Sequence, residues 1–490
     1  LLHQKKLSPL NLSRVMLLFF VARRPSDPVD RAVARMRNKP TLDKPRLANI
    51  SAASMILFVV TGLLFAQTPL TNQKLPPVAV PQQTPATAAP EKTEDDGPPP
   101  IYGFQGVLIE TLDGRIVSTQ AADQRFNPAS SIKLATAFVA LRTLGPNHRF
   151  STGFWSDGPF DKATGTLQGN LYVSGRDPSF HLEHAVMIAR QLNSLGIRVV
   201  SGDLIVAPGF TMNFSSSARN SGKLLYDTLD AGLRSSEATR AWTYERTVLG
   251  DQASLSTVPS VAVMGEVTVG PAAATARLLL THKSSKLTDV LKVLLCYSNN
   301  FMAERIGDSL GGRESVNEQV VKALGIPEDE AQFASLSGLG VNRVTPRAMM
   351  KILRGLRNEL QKNKLSPADI MPVAGIDPGT LEDRFSGLAW KGSVIAKTGT
   401  LVRTDGGASS LVGQMRAANG DTLLFVIFNQ HGSVSRFRSN QDYLVMQVQL
   451  SRGGPKAFNY KPLALTMKLA DTESISGNSE LGPNVQAHPK

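Results

Sequence analysis

Asn127-Pro128-Ala129-Ser130-Ser131-Ile132-Lys133 is the stretch on which the reading of the fold turns. The residue before a proline is held in extended backbone, and an apolar run at helical spacing follows in Ile132, Leu134, Phe138, Leu141 and Leu144. Ser130 therefore falls at or near a helix N-terminus, with Lys133 one turn later on the same face. A serine hydroxyl is a poor nucleophile until a base within hydrogen-bond reach takes its proton. A lysine stripped of water beside it does this once its pKa is drawn toward neutrality. Ser-x-x-Lys is that pairing, yet a Ser N-cap followed by a solvated Lys uses the same letters. The rest of the chain decides between them.

Ahead of this stretch, Val107-Leu108-Ile109 and Arg115-Ile116-Val117 flank Asp113-Gly114, the signature of a tight hairpin. Beyond it, residues 152–270 break into short apolar runs separated by Gly, Pro, Ser and Asp, which predicts an inserted, mostly β domain. Helical spacing returns from His282 to Gly312 and again from Arg347 to Leu360. Val394 to Thr400, Ala408 to Gly413 and Leu423 to Phe428 read as strands, the last two joined through Asn419-Gly420. Early and late strands bracketing helices predict one α+β domain, discontinuous over residues 101–151 and 271–460.

Three short motifs carry the chemistry: Ser130-x-x-Lys133, Ser298-Asn299-Asn300 and Lys397-Thr398-Gly399. A chance Lys-Thr-Gly in a chain of 490 residues is expected only about one time in ten, and this one sits on a predicted strand. The order Ser-x-x-Lys, Ser-x-Asn, Lys-Thr-Gly is that of the active-site serine penicillin-recognising enzymes. Further blocks narrow the likeness: Gly175-Arg176-Asp177-Pro178, Ser201-Gly202-Asp203-Leu204, His282 ahead of Ser298 to Glu304, and Pro372 to Asp377 leading to Lys397-Thr398-Gly399-Thr400. From about Ile101 to Leu450 the chain resembles the class C low-molecular-mass penicillin-binding proteins. These are the D-alanyl-D-alanine carboxypeptidases and endopeptidases of the penicillin-binding protein 4 type.

The resemblance implies the serine β-lactamase/DD-peptidase-like transpeptidase fold, an antiparallel five-stranded sheet flanked by helices. It also implies peptidoglycan as substrate and β-lactams as covalent inhibitors. In this reading Lys133 deprotonates Ser130, which attacks the carbonyl between two D-alanines or across a cross-bridge, and water resolves the acyl-enzyme. Ser298 passes a proton to the leaving amine with Lys133 or Lys397 behind it, and Asn300 holds the acyl amide. Lys397, Thr398, Gly399 and Thr400 form the strand that receives the terminal carboxylate, with the backbone N–H groups of Ser130 and, by resemblance, Thr400 as oxyanion hole. Asp177 either stabilises a turn before Pro178 or, by resemblance, meets the amino group of the stem-peptide diamino acid. No metal or cofactor is required.

Two departures from the family pattern matter. Only 168 positions (298 minus 130) separate Ser130 from Ser298, so one of the two extra domains usually inserted there is expected to be missing or cut down, leaving a more open cleft. In Ser335-Leu336-Ser337-Gly338-Leu339 the usual Asp-Gly is absent, and the arginine that commonly follows falls on Val341, with Arg343 two residues on. Recognition of the peptide side chain is expected to loosen.

The composition is that of a globular protein, 42% hydrophobic and 19% charged. The net charge is +13, but roughly +8 of it lies in the first 50 residues. With 6% aromatics and no basic module interleaved with them, nucleic-acid binding is not indicated. Residues 1–35 read as an upstream extension or a cytoplasmic tail. Residues 36–67, basic and then apolar through Met55 to Ala66, read as an export signal or a retained membrane anchor. Residues 68–100 form a Pro-rich linker, and 461–490 a tail disordered at its end. Export places the protein in the periplasm or on the outer face of a bacterial inner membrane, and the single Cys296 forbids an internal disulfide.

Other groups have blander readings. His181-x-Glu183-His184 lacks the His-Glu-x-x-His spacing of zinc enzymes and reads as a polar helix face. Cys296 reads as a small packing residue and His282 as a structural hydrogen-bonding one. A β-lactamase would need a dedicated Glu-bound water, and no clear Glu-x-x-x-Asn element is present. A non-catalytic wall-binding relative remains the other alternative, although every chemical residue is in place.

Overall fold

The computed structural model describes residues 100–477. In chain order, β1 (Phe104–Thr111) and β2 (Ile116–Gln120) form the Asp113-Gly114 hairpin, and a 3₁₀ turn (Ala129–Ile132) runs into α1 (Lys133–Leu144). β3 (Ser151–Ser156), β4 (Leu171–Gly175), α2 (Leu182–Ser194), β5 (Leu204–Val206), α3 (Ala218–Leu229), α4 (Ser236–Val248), β6 (Val267–Val269) and β7 (Arg277–Lys283) make up the insert. α5 (Leu287–Tyr297), α6 (Asn300–Ser309), α7 (Gly312–Leu324) and α8 (Pro346–Lys362) return to the main domain. The chain then lays down β8 (Val394–Leu401), β9 (Ala408–Arg416), β10 (Thr422–Gln430), α9 (Val434–Leu450), α10 (Leu465–Ala470) and β11 (Glu473–Ser476).

The main sheet has the order β8-β9-β10-β1-β2 and is antiparallel throughout. This is the expected α+β arrangement, with early and late strands meeting where β10 pairs with β1, Val107 opposite Ile427. Side chains alternate faces along a strand, so β10 sends Leu424, Val426 and Phe428 to the helical core around α1, α5 and α8. Leu423, Phe425 and Ile427 go to the opposite face, where Val445 of α9 covers them. A strand covered on both faces reads as an unbroken apolar run, as Leu423 to Phe428 does. α1 is likewise buried nearly all round, with Leu134, Phe138, Val139 and Leu141 enclosed, which makes it the axis of the main core.

The insert has a core of its own, in which Phe154, Val173, Val186, Ile188 and Val206 are buried together. The expectation of a mostly β segment is corrected. Three helices accompany a mixed sheet of order β6-β5-β4-β3-β7-β11, α3 lying against β5 and β6 while α2 packs on α3 and α4. α3 buries only a stripe of Ser221, Gly222, Leu225, Thr228 and Leu229, too sparse in apolar residues to stand out in the sequence. Sheet membership also carries the insert past residue 270, since Arg277–Lys283 pairs with β3. The tail is ordered further than its composition suggested: β11 pairs with β7, and Arg149 forms ion pairs with Asp471 and Glu473 beside it. The upstream extension, the apolar signal or anchor, the linker to residue 99 and the last residues of the tail lie outside the described residues. Among the described residues, no helix is long and apolar enough to cross a membrane.

Candidate active site

Ser130 sits in the 3₁₀ turn that leads into α1, and the turn is held from three directions. Asn127 Oδ1 accepts the N–H of Ala129 at 3.0 Å, while its Nδ2 donates to Gly340 O and to Asp405 Oδ2 at 3.0 and 2.7 Å. Ser410 Oγ donates to Pro128 O at 2.7 Å. Ala129 is thereby kept at φ 46°, in the left-handed region that a side chain normally avoids. Close approach explains two glycines. A Cβ on Gly399 would lie 2.7 Å from Pro128 O and 2.9 Å from Ser130 N, and one on Gly338 would strike Ala129 O.

The three motifs converge on one point. Lys133 Nζ donates to Ser130 Oγ at 2.9 Å, to Asn300 Oδ1 at 2.8 Å and to the carbonyl of Ser337. Ser298 ends α5 in a left-handed conformation (φ 56°), which turns its hydroxyl toward β8, where Lys397 Nζ donates to it at 2.8 Å. Asn299 caps α6 by accepting the N–H of Met302, and this sets Asn300 at the head of that helix. Both lysines are wholly buried, at 0% exposure. Burial, with the charge of Lys397 beside it and only the carboxylate of Glu304 opposing, holds Lys133 well below the usual lysine range. Burial pulls Lys397 down to about 7. The bland reading of a solvated Lys133 is thus excluded.

Two contributors gave no clear signal in the sequence. The carbonyl of Ser337 accepts from both Lys133 and Ser130 Oγ, the latter at 3.2 Å, and its own N–H is fixed by Glu304 Oε1 at 2.8 Å. Glu304 lay within the Ser298 to Glu304 block, but nothing in its spacing pointed to the far side of the lysine. Asp405, at φ 52° in the β8–β9 turn, takes a bidentate pair from Arg343 at 2.9 and 2.8 Å. Arg343 therefore clamps loops together and does not replace the arginine displaced by Val341, which is 55% exposed.

Asp177 is buried, with Oδ1 accepting from the N–H and hydroxyl of Ser179 while Oδ2 has no partner among the described residues. Burial raises its pKa. Thr398 is 7% exposed beside Lys397, and Thr400 Oγ1 accepts from Arg438 at 2.8 Å. The histidines differ from their sequence reading. His181 and His184 are buried rather than on a polar face, with His184 Nδ1 accepting the N–H of His181 and Nε2 lying 3.1 Å from Leu469 O. His282 has no hydrogen-bond partner on either ring nitrogen among the described residues and packs on the rings of Phe180 and His184.

A buried Ser–Lys pair whose lysine also meets an asparagine, with a second Ser–Lys pair beside it, is equipped for acyl transfer. The D-Ala-D-Ala carboxypeptidase 3 (S13) family model matches residues 99–221 and 252–449, spanning all three motifs. The chain belongs to this family. It is a serine-type D-Ala-D-Ala carboxypeptidase of the penicillin-binding protein 4 type. Among relatives, it is 24% identical over 426 residues to a D-alanyl-D-alanine carboxypeptidase of Actinomadura sp. (strain R39), covering 66% of this chain and 77% of that one. It is 31% identical over 171 residues to DacB of Haemophilus influenzae, covering 31% and 33%. Solved structures show the same fold. A penicillin G-acylated predatory endopeptidase of Bdellovibrio bacteriovorus, in complex with an immunity protein, matches with TM-score 0.64 at 22% identity, covering 76% of this chain and 100% of that one. Penicillin-binding protein 4 of H. influenzae matches with TM-score 0.54 at 20% identity, covering 71% and 96%.

Proposed function

We propose that this S13 carboxypeptidase cleaves peptidoglycan stem peptides and cross-bridges through an acyl-enzyme on Ser130. The observation that carries the proposal is the 2.9 Å contact between Ser130 Oγ and a wholly buried Lys133 that has no carboxylate at ion-pair distance among the described residues. Neutral Lys133 takes the hydroxyl proton as Ser130 attacks the D-alanyl carbonyl. Asn300 and the Ser337 carbonyl keep the amine aimed at that oxygen, and Asn300 also meets the acyl amide. The backbone N–H groups of Ser130 and Thr400 receive the oxyanion. The proton reaches the leaving amine through Ser298, which Lys397 supports, and water then attacks the acyl-enzyme with Lys133 again as base. Asp177 Oδ2, without a partner among the described residues, is the acceptor for an amino group on the stem peptide. Thr398, Gly399 and Thr400 line the carboxylate end.

The cleft expected from the shortened insert extends this reading to the intact wall. The insert holds a single core of its own, the position of the usual arginine falls on Val341, and Arg343 is committed to Asp405. Cross-linked sacculi should therefore be cut as well as soluble D-Ala-D-Ala peptides. The reading of residues 36–67 as an export signal or anchor, together with a wall substrate, supports a location in the periplasm or on the outer face of the inner membrane.

Labelling with a fluorescent penicillin, followed over time, tests the chemistry. Long-lived label on Ser130 supports the peptidase, rapid turnover of label favours a β-lactamase, and no label a non-catalytic binder. Digestion of whole sacculi beside soluble muropeptides tests the cleft. Dimers left intact in sacculi while soluble pentapeptides are trimmed would overturn the cross-bridge part.

A further inference from the structure

Lys397 is poorly placed to receive the substrate's carboxylate. Its ammonium donates inward to Ser298 Oγ at 2.8 Å and to Thr398 O at 2.6 Å, and the side chain has no exposure to solvent. Those bonds belong to the proton path through Ser298. A cation with free donors reaches the same strand farther along, at Thr400. Arg438, on α9 and exposed, donates from Nη2 to Thr400 Oγ1 at 2.8 Å, and its other guanidinium N–H groups have no hydrogen-bond partner among the described residues.

Its position is built by the fold. Gln441, one turn further along α9, donates to Ser409 Oγ at 3.1 Å and to Asn429 Oδ1 at 2.9 Å. Ser409 is the residue directly opposite Thr400 in the β8–β9 pair, so this anchor sets Arg438 over Thr400. Phe437, buried on the sheet, holds the same turn of helix down. The carboxylate that would neutralise Arg438 is already taken, because Asp442 is bound by Nε and Nη2 of Arg384 at 2.9 Å and closer. Arg438 has no ion-pair partner among the described residues.

We propose that Arg438 reads the free carboxylate of the leaving D-alanine, with Thr400 as its hydroxyl partner. The inference rests on Ser130 being the nucleophile and β8 the strand along which the substrate lies. A guanidinium presents two parallel N–H groups to a carboxylate, a geometry that a lysine cannot copy, and it stays charged at any working pH. The division of labour follows: Arg438 selects the chain end, and Lys397 is left to the proton relay.

The test uses two thiolesters of an acylated D-alanine, one with mercaptoacetate and one with mercaptoethanol as leaving group, so that only the carboxylate differs. Loss of one charge-assisted contact predicts that Arg438→Met lowers kcat/KM for the mercaptoacetate ester by about 10–100-fold and leaves the other within about threefold. Arg438→Lys should recover part of the loss. The charged groups facing Arg438 are Arg384 and Asp442, and Lys397 titrates at about 7. The parent should therefore keep its preference for the carboxylate ester at pH 9, whereas any preference left in Arg438→Met should fade as pH rises through 7. Equal losses on both esters, or no loss on either, would overturn the assignment. Ser130→Ala run alongside separates the two levels: turnover that survives it faults the nucleophile and not the arginine.

Discussion

Lys292 and Lys397 both act electrostatically on the thiol of Cys296, both are wholly buried, and their surroundings could hardly differ more. Lys292 meets Asp377 at 2.6 Å and the carbonyls of Ala368 and Met371 at 2.8 and 2.7 Å, while the other oxygen of Asp377 accepts the Tyr460 hydroxyl at 2.7 Å. Every donor there has an acceptor, and the charge has its counter-charge. Lys397 has a hydroxyl and one carbonyl, and no carboxylate within ion-pair distance among the described residues. The first arrangement ties α5 to the Pro372–Asp377 loop that leads into β8. The second leaves a lysine whose proton is loosely held, and Lys133 shares that condition. What separates a structural lysine from a chemical one here is the counter-charge, since burial is the same for both.

The largest effects should come from the uncompensated pair. Ser130→Ala removes the proposed nucleophile and should abolish penicillin labelling with the melting temperature unchanged. Lys133→Ala should slow acylation by about 10²–10⁴-fold, the usual worth of a general base. In the parent, acylation should rise with pH through a limb lying well below the 10.5 of a free lysine, because only neutral Lys133 accepts the proton. A limb at the free-lysine value would erase the contrast with a solvated side chain.

Lys292→Met should destabilise the fold by about 3–5 kcal/mol in urea unfolding, because it strands Asp377 in the core. Replacing Asp377 with Asn in the same chain should restore much of that. Lys397→Met should do the opposite. Its pKa drops from 10.5 unfolded to about 7 folded, so the unfolded chain binds more protons between those values and stability rises with pH across that window. The penalty is greatest below pH 7 and is gone above 10.5. At pH 7 the substitution should therefore raise the melting temperature while activity is lost, and the gain should shrink by pH 9.5. If both lysine variants destabilise alike, the comparison fails.

Cys296, between the two sites, should respond least. Burial pushes its thiol up to about 12, so it should resist thiol reagents in the native protein. Cys296→Ala should cost about 1 kcal/mol and leave acylation intact. Rapid alkylation of the folded enzyme would place the thiol in the cleft instead.

The parts of this protein that were legible in advance are local. The Asp113-Gly114 and Asn419-Gly420 hairpins, the unbroken apolar strand from Leu423 to Phe428 and the three motifs each declare themselves within a few residues, because turn geometry and strand burial act at that range. The insert is less legible, since α3 draws its stability from one-sided packing on strands distant in the chain and α4 from packing on α2. His282 looked like a hydrogen-bonding residue because a polar ring in sequence says nothing about whether its neighbours will be polar.

Residue types and their order were enough to propose Ser130, Lys133, Ser298, Asn300 and Lys397 as the reacting set, because acyl transfer needs those functional groups and a short spacing such as Ser-x-x-Lys places two of them on one helix face. Tertiary structure alone decided which lysines lack a counter-charge, that the Ser337 carbonyl and Glu304 stand behind Lys133, that Arg343 is spent on Asp405, and that Arg438 reaches Thr400. Those facts depend on distances between segments tens to hundreds of positions apart, and a charge in a sequence carries no record of which opposite charge the fold will bring to it.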